Sequence, residues 1–132
     1  MIILDTGATR ALADGHKTLN LLAGNMARTP GDLLRVPALC LMQAESEEAG
    51  AGGRVLAFSS VVVDDLDTAG SVTVGTMIRD GYGGADTCHA LYCALPRAEF
   101  TGMSILLTDR EDAYPPGVVT VGIDSPGLLG YC

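Results

Sequence analysis

Acidic residues occur where apolar segments of this sequence end or where helical segments begin. The positions concerned are Asp5, Asp64, Asp65, Asp86 and Asp109. Carboxylate oxygens are the ligands that Mg²⁺ and Mn²⁺ prefer in proteins. A bound divalent cation can activate a water molecule and stabilise the charge that develops on a phosphodiester during in-line attack. If the fold brings these carboxylates together, they predict a divalent-metal site suited to phosphodiester hydrolysis.

Asp5 and Asp86 also have a purely structural explanation. Each stands beside the start of a predicted helix, and an aspartate N-cap stabilises a helix by roughly 1 kcal/mol. His89 lies one helical turn after Asp86, but a single histidine on an apolar helix more often packs in the core than binds a ligand. Asp109 begins a charged stretch that could simply form a solvated loop. The residue types alone therefore leave both metal binding and capping open.

Short apolar segments predict the strands that would position these acids. Five segments qualify: Met1–Leu4, Leu33–Pro37, Val61–Val63, Ile105–Thr108 and Val118–Ile123. They lack the polar and apolar alternation of a half-exposed strand, which favours a parallel sheet that is covered on both faces. In such sheets the connections are right-handed and functional residues lie at the carboxyl ends of the strands. We therefore expect the acids along one edge of a central parallel sheet.

Helical segments are predicted between these strands. They are a short helix at Ala8–Ala13, His16–Met26, Ala38–Glu48, a helix capped by Asp67 that runs to about Arg79, and Ala85–Leu95, which Pro96 would end. Gly50–Gly53 predicts a loop, whereas Val55–Phe58 is compatible with either a strand or a helix. We assign residues 1–123 to one α/β domain. Residues 124–132 are rich in Pro and Gly, and we expect them to form a loose C-terminal tail.

The composition indicates one acidic domain with an aliphatic core. A length of 132 residues suits a single domain, and 48% of the residues are hydrophobic, although tryptophan is absent. The net charge of −8 argues against a broad electrostatic contact with nucleic acid, which needs a basic face. Bound cations would invert this charge locally, so a nucleic-acid enzyme stays open.

Four cysteines occur without the spacing of a zinc site: Cys40, Cys88, Cys93 and Cys132. We expect reduced cysteines in the core, as in a cytosolic protein. The initial apolar run is too short for a signal peptide, and no segment approaches the length of a membrane span. The sequence thus predicts a cytoplasmic protein that makes no membrane contact.

Other catalytic motifs are absent or incomplete. No GxGxxG follows a strand, and no GxxxxGK[ST] phosphate loop occurs. Asp5-Thr6-Gly7 matches the aspartic protease triplet, but that all-β fold needs two such aspartates. Cys88 and His89 are adjacent in sequence, so they point in different directions on a helix and do not form a nucleophile and base pair.

Four segments together resemble the PIN domain family, in particular the VapC-like toxins of bacterial toxin–antitoxin pairs. These segments are MIILDTGATRALADG, VPALCLMQAESE, ADTCHALYCAL with its Asp-x-x-His pattern, and SILLTDREDAYPPGVVTVGI. Each segment alone is weakly specific, but their order and spacing extend over residues 1–123. The resemblance implies a three-layer α/β/α sandwich around a parallel sheet of about five strands. It also implies a ribonuclease site of three or four acids that bind Mg²⁺ or Mn²⁺.

The family pattern is matched at two acidic positions and differs at two others. Asp5 matches the first acid of the pattern and Asp86 the third. Gln43 stands where the family usually has glutamate, so Glu45 or Glu47 would have to substitute. In the last motif the family often has Thr-x-Asp, whereas here Asp109 directly follows Thr108 and is itself followed by Arg110. Fewer carboxylates imply weaker cation binding.

Three functional hypotheses follow from the sequence. In the first, the chain is a metal-dependent endoribonuclease in which Asp5, Asp86 and Asp109 bind the cation, with Thr6 or Thr108 orienting water or phosphate. The resemblance then implies an RNA substrate, a cognate antitoxin and a homodimer. In the second, a catalytically degenerate PIN-like domain binds a protein partner. In the third, an unrelated small α/β binding domain uses its aspartates only as helix caps.

Overall fold

Five short parallel strands form the centre of the computed structural model, which describes residues 1–95 and 103–131. They are β1 (Ile2–Leu4), β2 (Leu34–Pro37), β3 (Val61–Asp64), β4 (Ile105–Thr108) and β5 (Thr120–Gly122). Their order across the sheet is β3-β2-β1-β4-β5, and every pairing is parallel. The five predicted strands are thus confirmed, with bounds that shift by up to two residues.

Helices cover both faces of this sheet. They are α1 (Thr6–Ala13), α2 (Lys17–Arg28), α3 (Ala38–Glu47), α4 (Ala51–Leu56), α5 (Thr68–Arg79) and α6 (Ala85–Ala94). The chain moves in one direction from β1 to β3 and then returns past β1 to β4. Because such crossovers are right-handed, the helices between β3 and β4 lie on the opposite face from the earlier ones. This arrangement is the three-layer α/β/α sandwich expected from the sequence.

The strands are buried along both faces, which explains their continuous apolar character. The central strands β1, β2 and β4 contribute residues with no exposed surface, namely Ile3, Leu4, Leu34, Val36, Leu106 and Leu107. Helix α6 packs against these same three strands. His89 of α6 is fully buried, and its Nδ1 accepts a hydrogen bond of 3.3 Å from the Leu39 amide. The packed-core interpretation of His89 is therefore correct.

Two segments differ from their sequence prediction. Gly50–Gly53 was predicted to be a loop, but α4 begins at Ala51, because the Glu45 carboxylate accepts hydrogen bonds from the Gly50 and Gly52 amides. The expected loose tail contains a 3₁₀ helix, Pro126–Tyr131, whose Leu128 is fully buried in the core. A single apolar residue thus anchors this Pro- and Gly-rich segment.

Two further expectations concern the cysteines and the membrane. Cys40, Cys88 and Cys93 are buried thiols, as predicted. The predicted helix end at Pro96 and the residue Cys132 lie outside the described residues. Within residues 1–95 and 103–131, no helix is both long and apolar enough to cross a bilayer.

Leu128 provides a test of how much the C-terminal segment contributes to stability. We expect Leu128→Ala to lower the free energy of unfolding by about 2 to 5 kcal/mol, because it leaves a cavity in the core. Leu129 is 62% exposed, so Leu129→Ala is the matched control and should change the stability by less than about 0.5 kcal/mol. Urea unfolding of both variants measures the difference. Equal stabilities would show that the segment does not support the core.

Candidate functional site

Asp5 lies at the junction of β1 and α1 and is almost completely buried, with 2% of its surface exposed. Its Oδ1 accepts a hydrogen bond of 3.0 Å from the Ala8 amide, which makes Asp5 the N-cap of α1. Its Oδ2 accepts a hydrogen bond of 2.9 Å from the Tyr114 hydroxyl. The structure therefore confirms that Asp5 caps a helix. Both of its carboxylate oxygens accept hydrogen bonds from groups of the protein.

Burial raises the pKa of Asp5 above its ordinary value, because the charged form loses its hydration. The negative charge of Asp109 raises it further, whereas hydrogen bonds from Thr108, Ala8 and Tyr114 lower it. Burial likewise raises the pKa of Tyr114, so its hydroxyl keeps the proton that it donates to Asp5.

Asp86 lies in the first turn of α6 and faces the start of α1. Its Oδ2 accepts a short hydrogen bond of 2.6 Å from the Thr6 hydroxyl. The thiol of Cys40 donates to the backbone carbonyl of Asp86 at 3.2 Å, which fixes α3 beside α6. Thr6 thus donates its hydroxyl hydrogen to Asp86, whereas its predicted role in orienting water or phosphate stays a prediction.

Asp109 follows β4 and lies directly on the first turn of α1. A methyl group added at Gly7 would overlap the Asp109 carboxylate, so the absence of a side chain at position 7 makes this approach possible. Thr108 is fully buried, and its Oγ1 accepts a hydrogen bond of 2.9 Å from the Arg110 amide. The loop after β4 therefore brings Asp109 to the same edge of the sheet as Asp5.

Gln43 and Glu47 lie on α3 and contact each other instead of presenting two acids. Glu47 Oε1 accepts a hydrogen bond of 2.9 Å from Arg10 Nη1, and its Oε2 accepts one of 2.8 Å from Gln43 Nε2. The Gln43 amide lowers the pKa of Glu47, and Arg10 lowers it further. Glu45 points elsewhere and caps α4. Of the two possible substitutes for glutamate at position 43, only Glu47 reaches the site.

A polar cleft of about 380 Å³ lies at the carboxyl edge of the sheet. Its lining residues are Thr6, Gly7, Arg10, Gln43, Glu47, Gly84, Asp86, Thr87, Asp109 and Arg110. The structure thus brings Asp86, Asp109 and Glu47 to one cleft, whereas Asp5, Thr108 and Glu45 do not line it.

The donor set of this cleft does not fit a divalent cation as it stands. The Asp5 and Glu47 carboxylates are held by protein donors, a neutral amide occupies position 43, and two guanidinium groups line the same space. Within the described part of the chain, no group of three or more His, Cys, Asp or Glu side chains is arranged to hold a metal ion.

Three site residues were not singled out from the sequence. Arg10 could have been found, because positions 6, 7 and 10 share one face of the helix that follows Asp5. Gly7 gave no sign by itself, since its role depends on the Asp109 carboxylate from a distant loop. Tyr114 lies 109 positions from its partner Asp5, and no local pattern indicates that contact.

No family model and no curated protein matches this chain significantly. Among solved structures, it is similar to a chain in the crystal structure of DNA-bound VapBC from Salmonella typhimurium, with a TM-score of 0.57 and 19% sequence identity. The match covers 92% of this chain and 97% of that chain. At this identity the likeness shows a shared fold, which agrees with the three-layer α/β/α architecture expected from the sequence.

The contact between Gly7 and Asp109 can be tested by adding one methyl group. We expect Gly7→Ala to displace the Asp109 carboxylate from α1, because the new Cβ would overlap it. Gly75→Ala in α5 is the matched control, since nothing lies within 4 Å of its added Cβ, and it should stabilise the protein by about 0.5 to 1 kcal/mol. A crystal structure of Gly7→Ala with Asp109 in its original place would contradict the assignment.

The raised pKa of Asp5 predicts a pH-dependent effect of Asp5→Asn. The folded protein binds this proton more tightly than the unfolded chain, whose reference value is 3.8. Protonation of Asp5 therefore adds stability below the unfolded pKa, and this contribution is lost as the pH rises through the folded pKa. Because Asn carries no charge, the stability of Asp5→Asn should rise relative to that of wild type as the pH increases from the unfolded reference value of 3.8 through the raised pKa of the folded protein.

Urea unfolding of both proteins across this range measures the effect. The exposed Asp65→Asn serves as the control for the loss of one negative charge. If the difference in the free energy of unfolding between Asp5→Asn and wild type stays constant with pH, the interpretation of Asp5 as a carboxylate destabilised by burial is wrong.

Proposed function

We propose that this chain is a VapC-like protein that acts by binding a protein partner of the antitoxin type, and that its cleft does not hydrolyse RNA. The contact that carries this proposal is the Arg10–Glu47–Gln43 network. A neutral amide stands where the resemblance implies a catalytic glutamate. The nearest substitute acid, Glu47, is bound by that amide and by a guanidinium group.

The charge of the protein supports a basic partner segment. Sixteen acidic residues against eight lysines and arginines give a net charge of −8, which repels an RNA backbone and attracts cationic peptide segments. The similar solved structure is a DNA-bound VapBC assembly, and we extend to this chain the expectation of a partner protein. The cytoplasmic location and the homodimer implied by the resemblance stay predictions.

A second candidate function is metal-dependent RNA hydrolysis with Mg²⁺ or Mn²⁺. It is favoured by the position of Asp5, Asp86 and Asp109 around the first turn of α1. In this alternative the cation would bind Asp86 and Asp109, with Asp5 behind them. The choice between the two functions depends on whether RNA can be hydrolysed with Gln43 and Arg110 at the positions where the family pattern has acids.

Restoring the missing acids separates the two functions. We expect wild-type protein incubated with RNA and Mn²⁺ to cleave no faster than Asp86→Asn, because the site lacks the charge that catalysis needs. The double variant Gln43→Glu with Arg110→Asp should cleave faster than both, since it supplies two carboxylates at the positions that the family pattern indicates. Gel analysis of a structured RNA measures the rates. Cleavage by wild type that Asp86→Asn abolishes would establish the second function instead.

Partner binding is tested by mixing the purified protein with a lysine- and arginine-rich peptide, the probe that the proposed charge complementarity calls for. We expect one complex on size-exclusion chromatography that weakens as salt is added, because exposed opposite charges are screened. Arg28→Glu, on the far end of α2, is a control for non-specific charge effects. Failure to form a complex at low salt would contradict the proposed partner.

A further inference from the structure

Acidic and basic side chains are present in nearly equal numbers in the cleft, which is unusual for an expected cation site. Its lining carries three acidic side chains, Glu47, Asp86 and Asp109, and two basic ones, Arg10 and Arg110. Three negative and two positive charges leave a formal charge of −1. Mg²⁺ is usually held by one or two carboxylates and several water molecules, and a guanidinium group bound to the same carboxylates competes with it for their negative charge.

Arg10 is held by the cleft and is not a freely solvated side chain. Its Nη1 donates to Glu47 Oε1 at 2.9 Å, and the side chains of Arg10 and Glu47 are 39% and 37% exposed. The other oxygen of Glu47 is occupied by Gln43 at 2.8 Å. Hydrogen bonding to Glu47 raises the pKa of Arg10, so this guanidinium stays charged. Both oxygens of the substitute acid are therefore committed to protein donors.

Arg110 lines the same cleft. Its Nε lies 3.9 Å from Asp109 Oδ1. Its positive charge also contributes to the lowered pKa of Glu47 and acts against the raised pKa of Tyr114, whose hydroxyl binds Asp5. Arg10 is thus paired with Glu47 and Arg110 lies beside Asp109, whereas Thr6 holds Asp86.

We propose that Arg10 and Arg110 are built-in counter-ions, which take over the electrostatic role of a divalent cation in this cleft and exclude that cation from it. Each guanidinium stands beside one carboxylate: Arg10 Nη1 donates to Glu47 Oε1 at 2.9 Å, and Arg110 Nε lies 3.9 Å from Asp109 Oδ1. The protein can then keep its acids close together without a bound metal. This inference deepens the proposed function and rests on it, since it explains why the retained acids need not be catalytic.

The same arrangement disfavours an anion such as phosphate. A phosphate group would have to displace a carboxylate from each arginine, and it would enter a cleft whose formal charge is already negative. Charges of like sign within a few ångströms are costly where water is partly excluded. The arginines are therefore directed at the protein's own acids.

Removal of one arginine charge should convert the cleft into a cation site. We expect Arg10→Gln to bind Mn²⁺ roughly tenfold more tightly than wild type, because the nearest competing positive charge is gone. Arg110→Gln should behave in the same way, and adding Gln43→Glu to either should strengthen binding further. Isothermal titration calorimetry with Mn²⁺ measures affinity, and thermal unfolding with Mn²⁺ or EDTA gives a second readout that does not depend on activity.

Two variants control this experiment. Arg79→Gln removes the same charge from the exposed last turn of α5, and Arg10→Lys keeps the positive charge at the cleft. Neither should gain Mn²⁺ affinity. If circular dichroism shows that Arg10→Gln does not fold, the Mn²⁺ affinity of Arg110→Gln is compared with that of Arg79→Gln instead. Mn²⁺ binding by the glutamine variants that is no tighter than binding by Arg79→Gln would overturn the proposal.

The outcomes for the inference and for the proposed function are distinguishable. RNA cleavage by wild-type protein would contradict the proposed function, whatever the affinity of Arg10→Gln for Mn²⁺. Tight Mn²⁺ binding by wild type without RNA cleavage would overturn the counter-ion inference and leave the proposed function standing.

Discussion

The rest of the site depends on the hydrogen bonds that the buried Asp5 carboxylate accepts. This carboxylate caps α1 by accepting a hydrogen bond from the Ala8 amide, and it accepts another from the Tyr114 hydroxyl. The backbone amide of Asp5 donates a hydrogen bond to the Leu107 carbonyl of β4. One residue thereby joins β1, α1, β4 and the segment after the 3₁₀ helix at 111–113. Without this junction the first turn of α1 would not face α6.

The position of α1 in turn determines what lines the cleft. Thr6, Gly7 and Arg10 share the face that follows Asp5, and each meets a residue from a different element. Thr6 binds Asp86, Gly7 admits Asp109, and Arg10 binds the acid on α3. A carboxylate that is this useful to the fold would be retained whether or not the protein is an enzyme. Asp5 is consequently stronger evidence for the fold than for catalysis.

The sequence predicted the fold well because the relevant signals are local. Continuous apolar segments identified all five strands, and the Asp67 side chain caps α5 as expected, at 2.6 Å from the Gly70 amide. The errors at Gly50–Gly53 and in the C-terminal segment have a common cause. Each segment is ordered by a specific contact that composition alone does not reveal. In the first case the Glu45 carboxylate binds the Gly50 and Gly52 amides, and in the second Leu128 enters the core.

The candidate site was only partly predictable for the same reason. Asp5, Asp86 and Asp109 were found from their positions at strand and helix ends, and the structure does place them at one edge of the sheet. Their hydrogen-bond donors could not be found in this way. Whether Glu47 is available depends on Arg10, which lies 37 residues away, and the state of Asp5 depends on Tyr114, which lies 109 residues away.

The close approach of Gly7 and Asp109 has an evolutionary consequence. Because the carboxylate occupies the space of a missing Cβ, a side chain acquired at position 7 has to displace the Asp109 side chain, unless position 109 has already changed its residue or its loop conformation. The two positions should therefore vary together among descendants of this sequence, and the order of the two substitutions should matter. A lineage that first replaces Asp109 is free to fill position 7, after which the original acid can no longer return.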